Sequence, residues 1–298
     1  MSTTTRLNPP QTASVTRTAA RSTEMTVSKD SRFSNDFQKW LHANGYGHFD
    51  FAKGNVPAFG GKNSPGEKVT KEPVIFIHGN SDSAAGWKGS VEHFSKEGYK
   101  SSEMYGMTWG PANPLKASEQ HHSEKNLTEV RAFIEAVKKY TGAEKVDVIG
   151  HSMGVTLARK AIQGGDSFDP YANKKFNVGD PLTRSVDTFV GIAGANHGLA
   201  AAAMTGDRFP TTNKVSGLHP QSELLKDLNA VNHDEGSHVY SIWSNADQVI
   251  GVGLAGFTSP IPGQDGQKVY NTFPFGHMGL KNLTAETQLA MIRDHQVR

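Results

Sequence analysis

The sequence predicts an α/β fold, a mostly parallel central sheet with helices on both faces. Three observations carry this expectation. PVIFI at 73–77 is a short, wholly apolar run, the pattern of a parallel strand buried on both faces. KVDVI at 145–149 is β-branched and passes at once into small and helix-forming residues. Between them lies a stretch of helical periodicity, and strands that alternate with helices pair in parallel.

In chain order, residues 1–32 are rich in Ser, Thr and Arg and poor in acids and large apolar groups. Such a segment cannot offset its ordering entropy, so it reads as a flexible tail, with an organelle transit peptide of similar composition as the alternative. Residues 33–298 read as a single domain. PVIFI ends in His78-Gly79-Asn80, and SSEMYGMTW (101–109) follows as the next strand. Asn126 as N-cap with Glu129 three residues on opens a helix, and Val130, Phe133, Ile134 and Val137 give it one apolar face. Gly142 ends it. KVDVI is followed by three further strands, SVDTFVGIA (185–193), HVYSIWS (238–244) and QKVYNTF (267–273). Thr284 to about Gln296 reads as a C-terminal helix. Residues 198–237, beginning with the small-residue run GLAAAAM, read as a short lid or insert.

Composition narrows the function classes. Charge is almost balanced, 31 Lys and Arg against 29 Asp and Glu, without a basic cluster, so no nucleic-acid partner is expected. The absence of cysteine removes disulfides, thiolate catalysis and Cys-ligated zinc, and leaves the compartment open. No apolar run approaches the ~18 residues of a membrane span, and no secretory core is seen, so the default location is cytoplasmic. No G-x-G-x-x-G follows a strand, and His121-His122 is a poor chelate because adjacent side chains diverge. Neither a cofactor nor a metal is expected.

The chemistry concentrates at 150–154, Gly-His-Ser-Met-Gly, where a strand meets a helix. A side chain points out of such a junction only if the backbone turns sharply, and the turn demands small residues two before and two after. Gly150 and Gly154 meet that demand around Ser152, the G-x-S-x-G nucleophile elbow. The turn also sets the backbone N–H of Met153 beside the reacting carbon. Nucleophilic use of Ser152 requires a base, a group to orient it and a second oxyanion donor. In chain order Ser, Asp, His, the acid after HVYSIWS is Asp247 and the histidine after the last strand is His277. The loop after PVIFI offers the Asn80 amide as the second donor, with His78 bracing the loop rather than acting as base. His197 could line the pocket. Asp187 sits at the wrong end of its strand, and Asp207, Asp227 and Asp234 are weaker candidates than Asp247. His121, His122, His219, His233, His238 and His295 read as solvated. An acyl groove would be walled by Trp87, Trp109, Met153, Met204, Phe209 and Leu254, each near a strand end, with core packing as the alternative for each.

These residues together resemble the α/β-hydrolase superfamily and, within it, the class 2 lipases: PVIFIHGN, VDVIGHSMG and FGHMGL are similar to the lipase forms around the oxyanion loop, nucleophile and histidine. The stretch from Pro73 to about Ala161 also resembles bacterial extracellular poly(3-hydroxybutyrate) depolymerases, in EPVIFIHGNSDS and KKYTGAEKVDVIGHSMGV. The resemblance implies a serine hydrolase of carboxylic esters with Ser152, Asp247 and His277 as nucleophile, acid and base. A lipase or esterase on apolar esters is the first expectation, with transient contact to a lipid or polymer surface. A polyester depolymerase is the second, although a secreted one would carry a signal peptide and cysteines. A non-catalytic binding protein on the same fold is the remaining class.

Overall fold

The computed structural model of the protein describes Met1, residues 24–51 and residues 54–298. Its strands are β1 (Val74–Ile77), β2 (Met104–Met107), β3 (Val146–His151), β4 (Asp166–Asp169), β5 (Lys174–Asn177), β6 (Val186–Ile192), β7 (His238–Ser244) and β8 (Gly266–Tyr270). Its α-helices are α1 (Asn35–Ala43), α2 (Lys88–Lys96), α3 (Glu124–Thr141), α4 (Met153–Gln163), α5 (Ala200–Thr205), α6 (Glu223–Leu228), α7 (Ala255–Thr258), α8 (His277–Leu283) and α9 (Ala285–Asp294).

Why β1 is apolar throughout is clear from its neighbours. Its four side chains are completely buried and alternate between two cores. Ile75 and Ile77 join Phe133 and Val137 of α3, Val155 and Leu157 of α4 and Phe37 of α1. Val74 and Phe76 join Val91 and Phe94 of α2 and Leu289 and Met291 of α9. The six-stranded sheet runs β2-β1-β3-β6-β7-β8, and every pairing in it is parallel. The expected α/β architecture is therefore the one observed, and the order places the carboxyl ends of β3, β7 and β8 on one edge. Ligands of such sheets bind beyond that edge.

Several boundaries differ from expectation for local reasons. The long helix is capped by Ser123, whose hydroxyl accepts from Asn126 N at 3.2 Å, rather than by Asn126, whose amide donates to His121 O. Its end at Gly142 is as expected, with φ 70° and an N–H bonded to Lys138 O. The C-terminal helical region is two helices, with Thr284 bonding back to Leu280 O at their junction. α1 and the antiparallel β4–β5 hairpin had no strong sequence signal. The tail boundary also moves: Val27 is buried in the second core, and Met25 N donates to Ser95 Oγ at 2.7 Å. The rest of that segment, residues 2–23, lies outside the described residues. Among the described residues no helix is long and apolar enough to cross a membrane.

Candidate active site

Ser152 stands between β3 and α4 with φ 56° and ψ −128°, a conformation that side chains avoid and that surrounding structure must impose. Its N–H is held by Ile192 O at 2.9 Å, and its carbonyl accepts from Val155 N at 3.0 Å. The two elbow glycines are sterically required. A Cβ on Gly150 would come within 2.9 Å of Val155 Cα, and one on Gly154 would fall on the carbonyls of Ile77 and His78. Both obstacles are backbone and cannot swing aside. Gly79 serves the same close approach from the opposite side, since its Cβ would lie 2.9 Å from that of Ser152. The loop after β1 is thus packed directly against the serine, which is partly exposed while both its chain neighbours are buried.

His78 braces that loop. Trp109 N donates to its Nε2 at 3.0 Å, Trp109 Nε1 donates to its carbonyl at 2.7 Å, and the two rings stack. Accepting at Nε2 leaves the proton on Nδ1, which lies 2.7 Å from Gly79 O. The Asn80 side chain donates to Ala117 O at 2.8 Å. Met153, as the first residue of α4, has a backbone N–H without a partner inside the helix.

The acid and histidine come from the neighbouring strand ends. Asp247, three residues after β7, is fully buried, and its Oδ2 accepts from His277 Nδ1 at 2.8 Å. Its other oxygen accepts from Val249 N and Ile250 N, each at 2.9 Å. His277 opens α8, and its backbone N–H donates to Gln248 Oε1 at 3.2 Å. The His151 ring lies 4.7 Å from the His277 ring and bonds the His277 carbonyl through Nε2 at 3.1 Å. Complete burial, reinforced by the nearby His277 and Lys281, holds the His151 pKa well below the usual histidine range. It is neutral, and it fixes the backbone of His277 to the end of β3.

Other expected site residues are distributed differently. Trp87 and Trp109 have essentially no exposed surface: the first packs on Phe76 in the second core and the second stacks on His78. Both therefore pack the interior instead of walling an open groove, because the loops that carry them fold back over β1. Met153 is likewise buried, whereas Met204, Phe209 and Leu254 are exposed. His122 and His219 are buried, not solvated. His122 sits between Ser216 O and Thr156 Oγ1, and burial lowers its pKa to about 4.

Sequence reasoning missed three supports: His151, Gln248 and the ion pair between Asp82 and Lys281. Lys281 lies one turn after His277 on α8 and is 1% exposed. Its ammonium meets Asp82 Oδ2 at 2.6 Å and Gly86 O at 2.7 Å, which ties the helix carrying the histidine to the loop after β1. The i, i+4 spacing from His277 was the one available hint. Asp82→Ala leaves that cation buried with the Gly86 carbonyl and the face of Trp87 but no counter-charge, so a loss of about 3–5 kcal/mol of stability is expected. Denaturant melts should show Asp82→Ala less stable than the double variant Asp82→Ala/Lys281→Met. Equal stability of the two would argue against a buried-charge effect.

A strand-to-helix elbow, a loop packed against it and a paired acid and histidine at the neighbouring strand ends define the α/β-hydrolase class. Residues 71–290 match the class 2 lipase family, and the chain belongs to that family. It is a lipolytic, carboxylic-ester hydrolase. Its fold is similar to that of the Bacillus licheniformis lipase BlEst2 in mature form, at 16% identity and a TM-score of 0.55, over 79% of this chain and 97% of that one. It is also similar to Aspergillus fumigatus lipase B, at 16% identity and a TM-score of 0.51, over 87% of this chain and 68% of the other. A third similar structure, at 15% identity and a TM-score of 0.50, comes from a study of two metagenome-derived lipolytic enzymes, LipS and LipT, and covers 77% of this chain and 96% of that one.

Proposed function

We propose that the protein hydrolyses apolar carboxylic esters through an acyl-enzyme on Ser152, with His277 as base and Asp247 as its orienter. The observation that carries this reading is the 2.8 Å bond from His277 Nδ1 to a buried Asp247, beside a serine held at φ 56°. Asp247 holds the proton on Nδ1, so Nε2 is the free lone pair that takes the Ser152 proton. Ser152 Oγ attacks the ester carbonyl, and the charge that develops on its oxygen is met by the N–H groups of Met153 and Asn80. Each donor of this kind contributes about 3–4 kcal/mol in the transition state. His277 returns its proton to the leaving alcohol. It then activates the water that splits the acyl-enzyme to acid and free Ser152.

Exposed apolar side chains favour a lipid-like substrate. Val252, Leu254 and Phe257 stand on the segment between the acid and the histidine, and Phe273 and Met278 flank His277 on either side in sequence. Phe257 is 80% and Phe273 91% exposed, aromatic side chains open to an apolar phase on the segments that lead to the histidine. Met204 and Phe209 are exposed apolar side chains on the segment from α5, which we read as the mobile part of a short lid. Leu218, Leu224, Leu225 and Leu228, in the later part of 198–237, belong to the first core.

A solid polyester offers the same kind of contact, so poly(3-hydroxybutyrate) is the second substrate class. Acid release from emulsified triglyceride and from amorphous polymer particles, with Ser152→Ala as blank, separates the two. Turnover of triglyceride is the expected result. Turnover of polymer alone would replace the lipase reading with the depolymerase one, and silence on both and on soluble esters would overturn the mechanism.

A further inference from the structure

At the amino-terminal edge of the sheet, opposite Ser152, three side chains from distant parts of the chain converge. Asp187 comes from the start of β6, His238 opens β7, and His295 caps the end of α9. One ligand atom from each lies within 4.8 Å of the other two. His295 Nε2 is 3.1 Å from Asp187 Oδ2, and the two imidazoles stack with centroids 3.8 Å apart. Ligand atoms around a tetrahedral zinc, at 2.0–2.1 Å from the metal, stand about 3.3 Å from one another, so the Asp187–His295 edge already has the right length.

Three carboxylates share these surroundings. Glu72 and Asp147 gather around the same Asp187 carboxylate, their oxygens also within 4.8 Å of one another. Lys145 bonds this group through Asp187 Oδ1 at 3.0 Å, and it also donates to Ser237 Oγ at 2.7 Å. Fixing Oδ1 leaves Oδ2 turned to His295, with the Thr188 hydroxyl donating to it at 3.3 Å, the support that metal-binding carboxylates receive from a second layer of residues.

We propose that Asp187, His238 and His295 form a zinc site that clips the chain end beyond α9 onto the first residues of β6 and β7. Two imidazoles and one carboxylate select a borderline cation such as Zn²⁺ over Mg²⁺ or Ca²⁺, which prefer all-oxygen shells. The near-parallel rings bring both nitrogens to one ion when the exposed His295 ring turns out of the stack, and water completes the coordination. The site lies across the sheet from the elbow, so its part is structural and ester turnover does not depend on it.

Equilibrium dialysis of chelator-stripped protein against Zn²⁺ tests this, with His238→Ala and His295→Ala beside the wild type. The expected result is one zinc per chain, a Tm raised by Zn²⁺ and not by Mg²⁺, and affinity lowered at least about tenfold in each variant. Ester turnover by each variant serves as the check on folding. Should His238→Ala fail to fold, the more exposed His295 decides. Absence of stoichiometric zinc uptake, or uptake unchanged in His295→Ala, would overturn the proposal.

Discussion

Ser152→Ala is expected to lower kcat on any ester by about a millionfold, roughly 8 kcal/mol of transition-state stabilisation, while the fold survives. The loss is large because neither chain neighbour of Ser152 offers a second nucleophile. The residue before it is a neutral, buried histidine engaged with the His277 carbonyl, and the residue after it is buried methionine. The fold survives because Ser152 is not what holds the elbow together. The Ile192 carbonyl bonds its backbone N–H, and the glycine contacts to Ile77, His78 and Val155 involve main chain. Alanine at φ 56° is no more strained than serine. Thermal melts of the two proteins should nearly coincide, and rate assays should differ by orders of magnitude. Retention of even a hundredth of the wild-type kcat would mean that the ester is cleaved elsewhere.

Asp247→Asn is the second large effect, a fall in kcat of about ten-thousandfold. The two carboxylate oxygens are not equivalent, and this sets the direction. Oδ1 accepts from Val249 N and Ile250 N, so the carbonyl of an asparagine must occupy that side. Its amide nitrogen then faces His277 Nδ1, where Asp247 Oδ2 now accepts at 2.8 Å. An amide donates, so His277 must present a lone pair at Nδ1 and carry its proton on Nε2, the tautomer that cannot take the serine proton. The variant keeps the buried shape, so kcat falls far more than Tm. A variant that melts early but keeps its turnover would make Asp247 a structural residue only.

What could be read from the chain divides by how local the cause is. The elbow was legible because its pattern is complete within five residues, although only the Gly150 obstacle, the main chain of Val155, is local, and Gly154 is required by the main chain of Ile77 and His78. β7 was legible to the residue, since HVYSIWS is bounded on both sides by polar and glycine residues. Asp247 and His277 followed from chain order at strand ends, and the structure brings their side chains together. The helix cap was misplaced by three residues because Ser123 and Asn126 both carry capping side chains and only the path of the chain decides between them. Trp87 and Trp109 were expected near a groove. Whether a loop turns outward or folds over β1 depends on Phe76 and His78, not on the loop's own residues. Pairs such as Asp82 with Lys281, 199 positions apart, leave only the i, i+4 spacing of Lys281 from His277 as a trace, and nothing that names the partner. The same holds for His238 and His295, solvated histidines by sequence that the sheet edge brings into contact.

The most direct test of the acyl-enzyme is covalent capture of its nucleophile. The protein is incubated with a p-nitrophenyl alkylphosphonate, an ester mimic whose phosphorus a serine attacks without subsequent hydrolysis, and its mass is measured intact and after digestion. The expected result is a single phosphonyl group per chain on the peptide containing Ser152, none on Ser152→Ala, and inactivation in step with labelling. Labelling of another residue, or full ester turnover in quantitatively labelled protein, would contradict it.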